Sequence, residues 1–131
     1  MADTDNRTQY EKLLSMLCVK AETVSTKVFT NTRPLATDKM DDFIVVRLTS
    51  QDPYADTHDM GYVQFHIFVR DRQGGIENVP RMGEMVQGVK ALLPFNNDLA
   101  TCNSKPVQLQ SKEDGMGFHV TVLQYHIVVK L

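Results

Sequence analysis

The sequence predicts an α+β domain: a mostly antiparallel sheet of about five strands with two helices packed on one face. Three observations carry this. Two stretches have apolar residues at helical spacing behind capping signals. Five stretches alternate apolar and polar residues with period two. Their order is helix, three strands, helix, two strands, which differs from the strict alternation that builds a parallel sheet.

The first helix starts at Thr8, where Thr8 and Glu11 form a T-x-x-E capping box, and runs to about Glu22. Tyr10, Leu13, Leu14, Leu17, Cys18 and Ala21 make its apolar stripe. Residues 24–32, VSTKVFTNT, suit a short strand ended by Arg33-Pro34. Residues 43–49, FIVVRLT, are the second strand, and residues 50–60, rich in Asp with one Pro, are a loop.

Residues 61–94 are the organising unit. Val63, Phe65, Ile67 and Val69 alternate with Tyr62, Gln64, His66 and Arg70. Phe68 breaks that alternation, so both faces are covered at that end of the strand. Residues 70–75, RDRQGG, make a turn. Asn78 offers an N-cap, and Pro80 fits a first turn, where its missing N–H costs little. Met82, Met85, Val86, Val89, Leu92 and Leu93 follow at helical spacing, and Pro94 stops the helix. This strand is expected near the middle of the sheet.

Residues 95–105 are polar and form a second loop. In residues 106–111, PVQLQS, Val107 and Leu109 alternate with Gln108 and Gln110 as a fourth strand. Asp114-Gly115 is the strongest hairpin signal in the chain. The last strand, 118–131, changes phase between Val122 and Leu123, from a bulge there or from burial of both faces.

At 131 residues the chain is one domain, with residues 1–7 expected to be flexible. With 42% hydrophobic residues it can bury a core without disulfides or metals. A net charge of −2 argues against nucleic acid or a membrane surface as a partner. Neither a membrane span nor a signal peptide is evident, so synthesis in the cytoplasm and free thiols at Cys18 and Cys102 are expected, the latter in a polar loop.

No motif organises chemistry. His58, His66, His119 and His126 lack zinc spacing, and Asp52, Asp56 and Asp59 lack the other positions of a calcium loop. The Gly74-Gly75 pair is not a phosphate loop, and no nucleophile elbow surrounds a serine or cysteine. His66 and His126 fall on polar strand sides and are possible cross-strand neighbours, the weak basis of an enzymatic reading that would add an acid from residues 50–60. The residues thus support a binding or structural module with no catalysis, no cofactor and no metal. A pocket between sheet and helices, lined by Met16, Met82 and Met85, is the feature a small-ligand or peptide-binding module would use.

The element order resembles that of phage tail terminator proteins, also called tail completion or minor tail proteins. The N-terminal helix YEKLLSMLCVKAETV, the strand and Gly turn from Tyr62 to Gly75, the helix from Pro80 to Pro94, and the closing strand carry the likeness. The resemblance implies a ring, a hexamer, that caps the tail tube and meets the head–tail connector protein. Its partners would be further copies of itself, the tail tube protein and the connector, in a virion tail assembled in the cytoplasm of a bacterial host. Mixed-charge loops suit such contacts, which gives Arg70, Arg72 and Gln73 in one turn and Asp52, Tyr54 and Asp56 in the acidic loop as candidate interface residues.

Overall fold

The computed structural model describes residues 8–25, 27–34, 39–49, 52–55, 58–103 and 105–130, with backbone alone at 52–55, 58 and 110. These form helix α1 (Gln9–Ala21), β1 (Val28–Thr30), β2 (Asp42–Leu48), β3 (Asp52–Ala55), β4 (His58–Arg70), helix α2 (Val79–Lys90), β5 (Phe95–Asn96), β6 (Ala100–Cys102), β7 (Val107–Glu113) and β8 (Phe118–Lys130). The first seven residues lie outside them.

Both helix starts are as the sequence predicts. The Thr8 hydroxyl accepts from the Glu11 N–H at 3.2 Å, and the Asn78 side chain accepts from the Arg81 N–H at 3.3 Å. The second helix ends earlier than predicted, at Lys90, leaving Leu92 and Leu93 in the turn before Pro94. Leu93 stays buried there.

The architecture is α+β, as expected, but the described residues hold eight strands in one open sheet. Its centre is the antiparallel pair β4–β8, in unbroken register from His58↔Lys130 to Arg70↔Phe118. Each long strand carries two short neighbours on its outer edge. β2 and β3 share the outer edge of β4, and β7 and β6 share that of β8. Five strands therefore cross the upper half of the molecule, in the order β1-β2-β4-β8-β7, and five cross the lower half, β3-β4-β8-β6-β5.

The three extra strands are the corrections to the predicted count. β3 lies in the acidic loop, and β5 and β6 lie in the polar loop after α2. They are two to four residues long, too short for a period to show. β4 gives β3 its backbone partner and β8 gives β6 its own, and β5 pairs with β6 in turn. The sheet is also mixed, because β1 runs parallel to β2. A hairpin would reverse the chain, whereas parallel strands need a crossover connection from the end of β1 back to the start of β2.

Strand β8 contains no bulge against β4. Its phase change is burial of both faces. Leu123, Tyr125, Ile127 and Val129 pack under the helices, while Phe118, Val120 and Val122 pack on the outer face. The irregularity sits in its partner β7, between Leu109 and Lys112.

The helix-side core joins Leu13 and Leu17 of α1 and Met82, Met85, Val86 and Val89 of α2 to Ile44, Val46, Val63, Phe65, Ile67 and the β8 residues. Met82 and Met85 are core and Met16 packs against it. Of the three only Met82 also lines a cleft between α2 and the sheet, beside Val86, Gln108 and Thr121. Tyr125 is fully buried there, with its hydroxyl lacking a hydrogen-bond partner. Burial, then the nearby Cys102, pushes its pKa up to about 12. A buried hydroxyl that makes no hydrogen bond costs free energy. Tyr125→Phe is therefore expected to raise stability by about 1 kcal/mol in urea unfolding. A loss of stability would show that the hydroxyl is satisfied.

Candidate assembly surface

The helices cover one sheet face, so the outer face and the strand edges are what this fold offers to a partner. The upper outer face is closed by the chain itself. Phe43 stacks on Phe68 with centroids 4.4 Å apart, and Phe118 meets Phe43 edge-on at 5.2 Å. Arg33, in the crossover, lays its guanidinium over all three rings at 5.1–5.5 Å. Asp114, in the β7–β8 turn, forms an ion pair with Arg33. This Asp-Gly turn is the hairpin the sequence predicts. The Asp114 carboxylate accepts from the Met116 N–H at 2.7 Å and the Phe118 N–H at 3.1 Å.

The lower outer face is open and amphipathic. Gln64 donates to Gln124 across the central pair at 2.8 Å, and Tyr62 meets His126 edge-on at 5.8 Å. Tyr62 is 44% exposed, and on the adjoining β7 Val107 and Leu109 are 59% and 56% exposed. The alternation along β7 is as the sequence predicts, but its apolar side is the exposed one. Gln108 faces the helix layer instead, lining a cleft with Met82 and Val86. The signal that β7 is an edge strand with its apolar side out is not in its own residues.

His66 and His126 share the outer face but are not neighbours. His66 pairs with Val122 and His126 with Tyr62, so the Gln64–Gln124 rung separates them. They stand about 13 Å apart along the strands. Burial first, then Arg47, lowers the His66 pKa, and its ring Nε2 lies 3.0 Å from Gln64 Oε1. No three His, Cys, Asp or Glu side chains gather in metal-binding geometry among the described residues. Cys102 is not in an exposed loop. It is buried in β6, its thiol pushed up to about 12 by burial, while Cys18 is half-buried, and neither forms a disulfide.

The predicted interface residues divide. Arg70 is used internally, its Nε donating to the Met40 carbonyl at 2.9 Å and its guanidinium 4.6 Å from the Phe118 ring. Arg72 and Gln73 are exposed on the turn, where Gly74 and Gly75 take φ of 85° and 76°. Asp52 and Tyr54 contribute only backbone to the description, in β3, and Asp56 lies outside the described residues. Beside the turn lies a cleft of about 420 Å³ lined by Asp41, Asp42, Arg70, Asp71, Arg72, Asn78 and Arg81. Arg81 meets Asp42 at 2.9 Å, while Arg70 donates to the Met40 carbonyl and Arg72 to the Asn78 side chain. His119 Nδ1 lies 2.5 Å from Asp71, whose hydrogen bond raises the histidine pKa. Acid and base are balanced here, which suits a mixed-charge contact better than capture of an anion.

No protein family and no curated protein matches this sequence. Among solved structures the chain is similar to one that carries no functional name, at 16% identity and a TM-score of 0.61, covering 94% of this chain and 92% of that one. At that identity the likeness bears on the fold alone. A second is a chain from the virion of a native gene transfer agent (GTA) particle, at 19% identity over 94% and 92% of the two chains. Its TM-score of 0.45 is too low to carry an argument.

On both sides of the upper sheet a strand edge is left over. The outer edge of β1 and the outer edge of β7 pair with no described strand. Beside β1 run two adjoining clefts along α1, of about 490 and 480 Å³, both lined by Glu11 and Leu14.

Proposed function

We propose that this chain is a structural protein of a phage or prophage tail, a subunit of a ring that caps the tail tube and joins it to the head connector. The observation that carries the reading is the pair of unlike free strand edges on opposite sides of one sheet. Two unlike surfaces on one subunit make heterologous contacts, and such contacts close into rings when the rotation per subunit allows. The sequence pattern shared with tail terminator proteins supports the same reading. So does the character of the outer face, where polar rungs and exposed apolar side chains lie together. Arg72 and Gln73 on the exposed turn, with Asp52, Tyr54 and Asp56 of the acidic loop, are the proposed contacts to the tube or the connector.

The test is the mass in solution by light scattering on a sizing column, followed by electron microscopy. A stable mass near six chains, with a central hole in projection, is the expected result. A monomer at all concentrations that also fails to bind tail tubes would sink the reading.

A second reading, a peptide-binding module without catalysis, is favoured by the clefts beside β1, where a helix and an open strand edge stand together as they do in domains that bind by adding a strand. That protein would be a monomer, and its melting temperature would rise with an extended peptide.

A further inference from the structure

The sheet registers single out which edges meet in a ring. A row of paired residues runs across the whole upper sheet from Thr30 through Val46, Phe65 and Leu123 to Gln108. The next row runs from Phe29 through Val45, His66 and Val122 to Leu109. The two free edges are therefore level with each other, and level residues share a face. Phe29 and Leu109 both stand on the outer face, and Thr30 and Gln108 on the helix face.

Direction agrees as well. β1 is parallel to β2, and each further step to β4, β8 and β7 is antiparallel, so β1 and β7 of one chain run in opposite directions. A copy rotated about an axis along the strands keeps its strand directions. Its β1 would meet the β7 edge as an antiparallel partner and continue the alternation of the sheet. In the level register two rungs pair, Thr30 with Gln108 and Phe29 with Leu109, and Val28 falls opposite the bulge. β1 has three residues. On β7 the bulge and Lys112 close the far end of the edge, which leaves Val107, Gln108 and Leu109.

We infer that β7 of one subunit pairs with β1 of the next copy of this chain, extending the sheet from subunit to subunit. The contact sets Leu109, which pairs with Val122 inside its own chain, beside Phe29 of the next copy on the outer face. The inference rests on the ring reading and adds to it the two surfaces that join.

The test is cysteine cross-linking in the full chain, with Cys18 replaced by serine and the buried Cys102 left in place. Thr30→Cys and Gln108→Cys together, treated with a bismaleimide, are expected to give a ladder of covalent multimers that ends at the ring mass. Each single-cysteine variant should give none. A doubly substituted chain that stays monomeric, or a single variant that dimerises, overturns the pairing. Val107→Lys with Leu109→Lys supplies an independent measure, because both side chains are already exposed and their replacement leaves the core alone. Its expected mass is one chain with an unchanged melting temperature. If the ring mass survives in that variant and no ladder forms, the edge pairing is wrong and the ring reading stands. If the unsubstituted chain forms no ring and caps no tube, both fall.

Discussion

Replacing Phe43 with alanine is expected to cost about 3–5 kcal/mol of stability, a large part of the ~5–15 kcal/mol that holds an ordinary domain folded. Phe43 has no solvent exposure, and its ring touches Phe68, Phe118 and Phe29. Truncation removes the buried ring and leaves a void that β2 and β4, held in register on both sides, cannot collapse into. The guanidinium of Arg33, 5.5 Å above that ring, would then lie over a cavity. Chemical denaturation of Phe43→Ala against Phe43→Leu is the measurement. A loss near 1 kcal/mol for alanine would mean that the outer face relaxes, and that the crossover is a loose cover and not the lid of a second core.

Asp114→Asn is expected to cost about 2–3 kcal/mol, below the ~3–5 kcal/mol of a fully buried pair because Arg33 keeps some exposure to water. The side chains of Arg33 and Asp114 are 22% and 9% exposed. Asparagine keeps an oxygen for the Met116 and Phe118 N–H groups, so the change isolates the charge. Burial by itself would raise the Asp114 pKa, but the Arg33 hydrogen bond, the two backbone N–H groups and the Arg33 charge outweigh it, and the net shift is downward. A carboxylate with a depressed folded pKa stabilises the fold fully above its unfolded pKa, near 4, and loses that contribution as pH falls through the folded value. The unsubstituted chain should therefore lose stability across this acid window more steeply than Asp114→Asn. Parallel pH profiles for the two would show that the ion pair contributes nothing. A large loss at neutral pH would also mean that the crossover comes free of the outer face.

The sequence by itself determined the local elements whose reasons are local. Thr8 and Asn78 cap helices because their side chains reach N–H groups three residues on, and Asp114-Gly115 turns a hairpin because the carboxylate satisfies the turn. The alternation of Val63, Phe65 and Ile67 marked a strand whose helix-side face is buried, and Phe68 announced cover on the other. Only the tertiary structure decided the rest. β3, β5 and β6 are too short to carry a period and exist because β4 lends β3 a partner, β8 lends β6 one, and β6 lends β5 one. Arg33 and Asp114 are 81 positions apart, and nothing in either neighbourhood predicts the other. Val107 and Leu109 read as a buried face, yet they are exposed because β7 ends the upper sheet, and neighbours across a sheet are set by pairing over distance. The same reason separates His66 from His126. Their places on polar strand sides were legible, but the rung each occupies depends on a register fixed across the two longest strands.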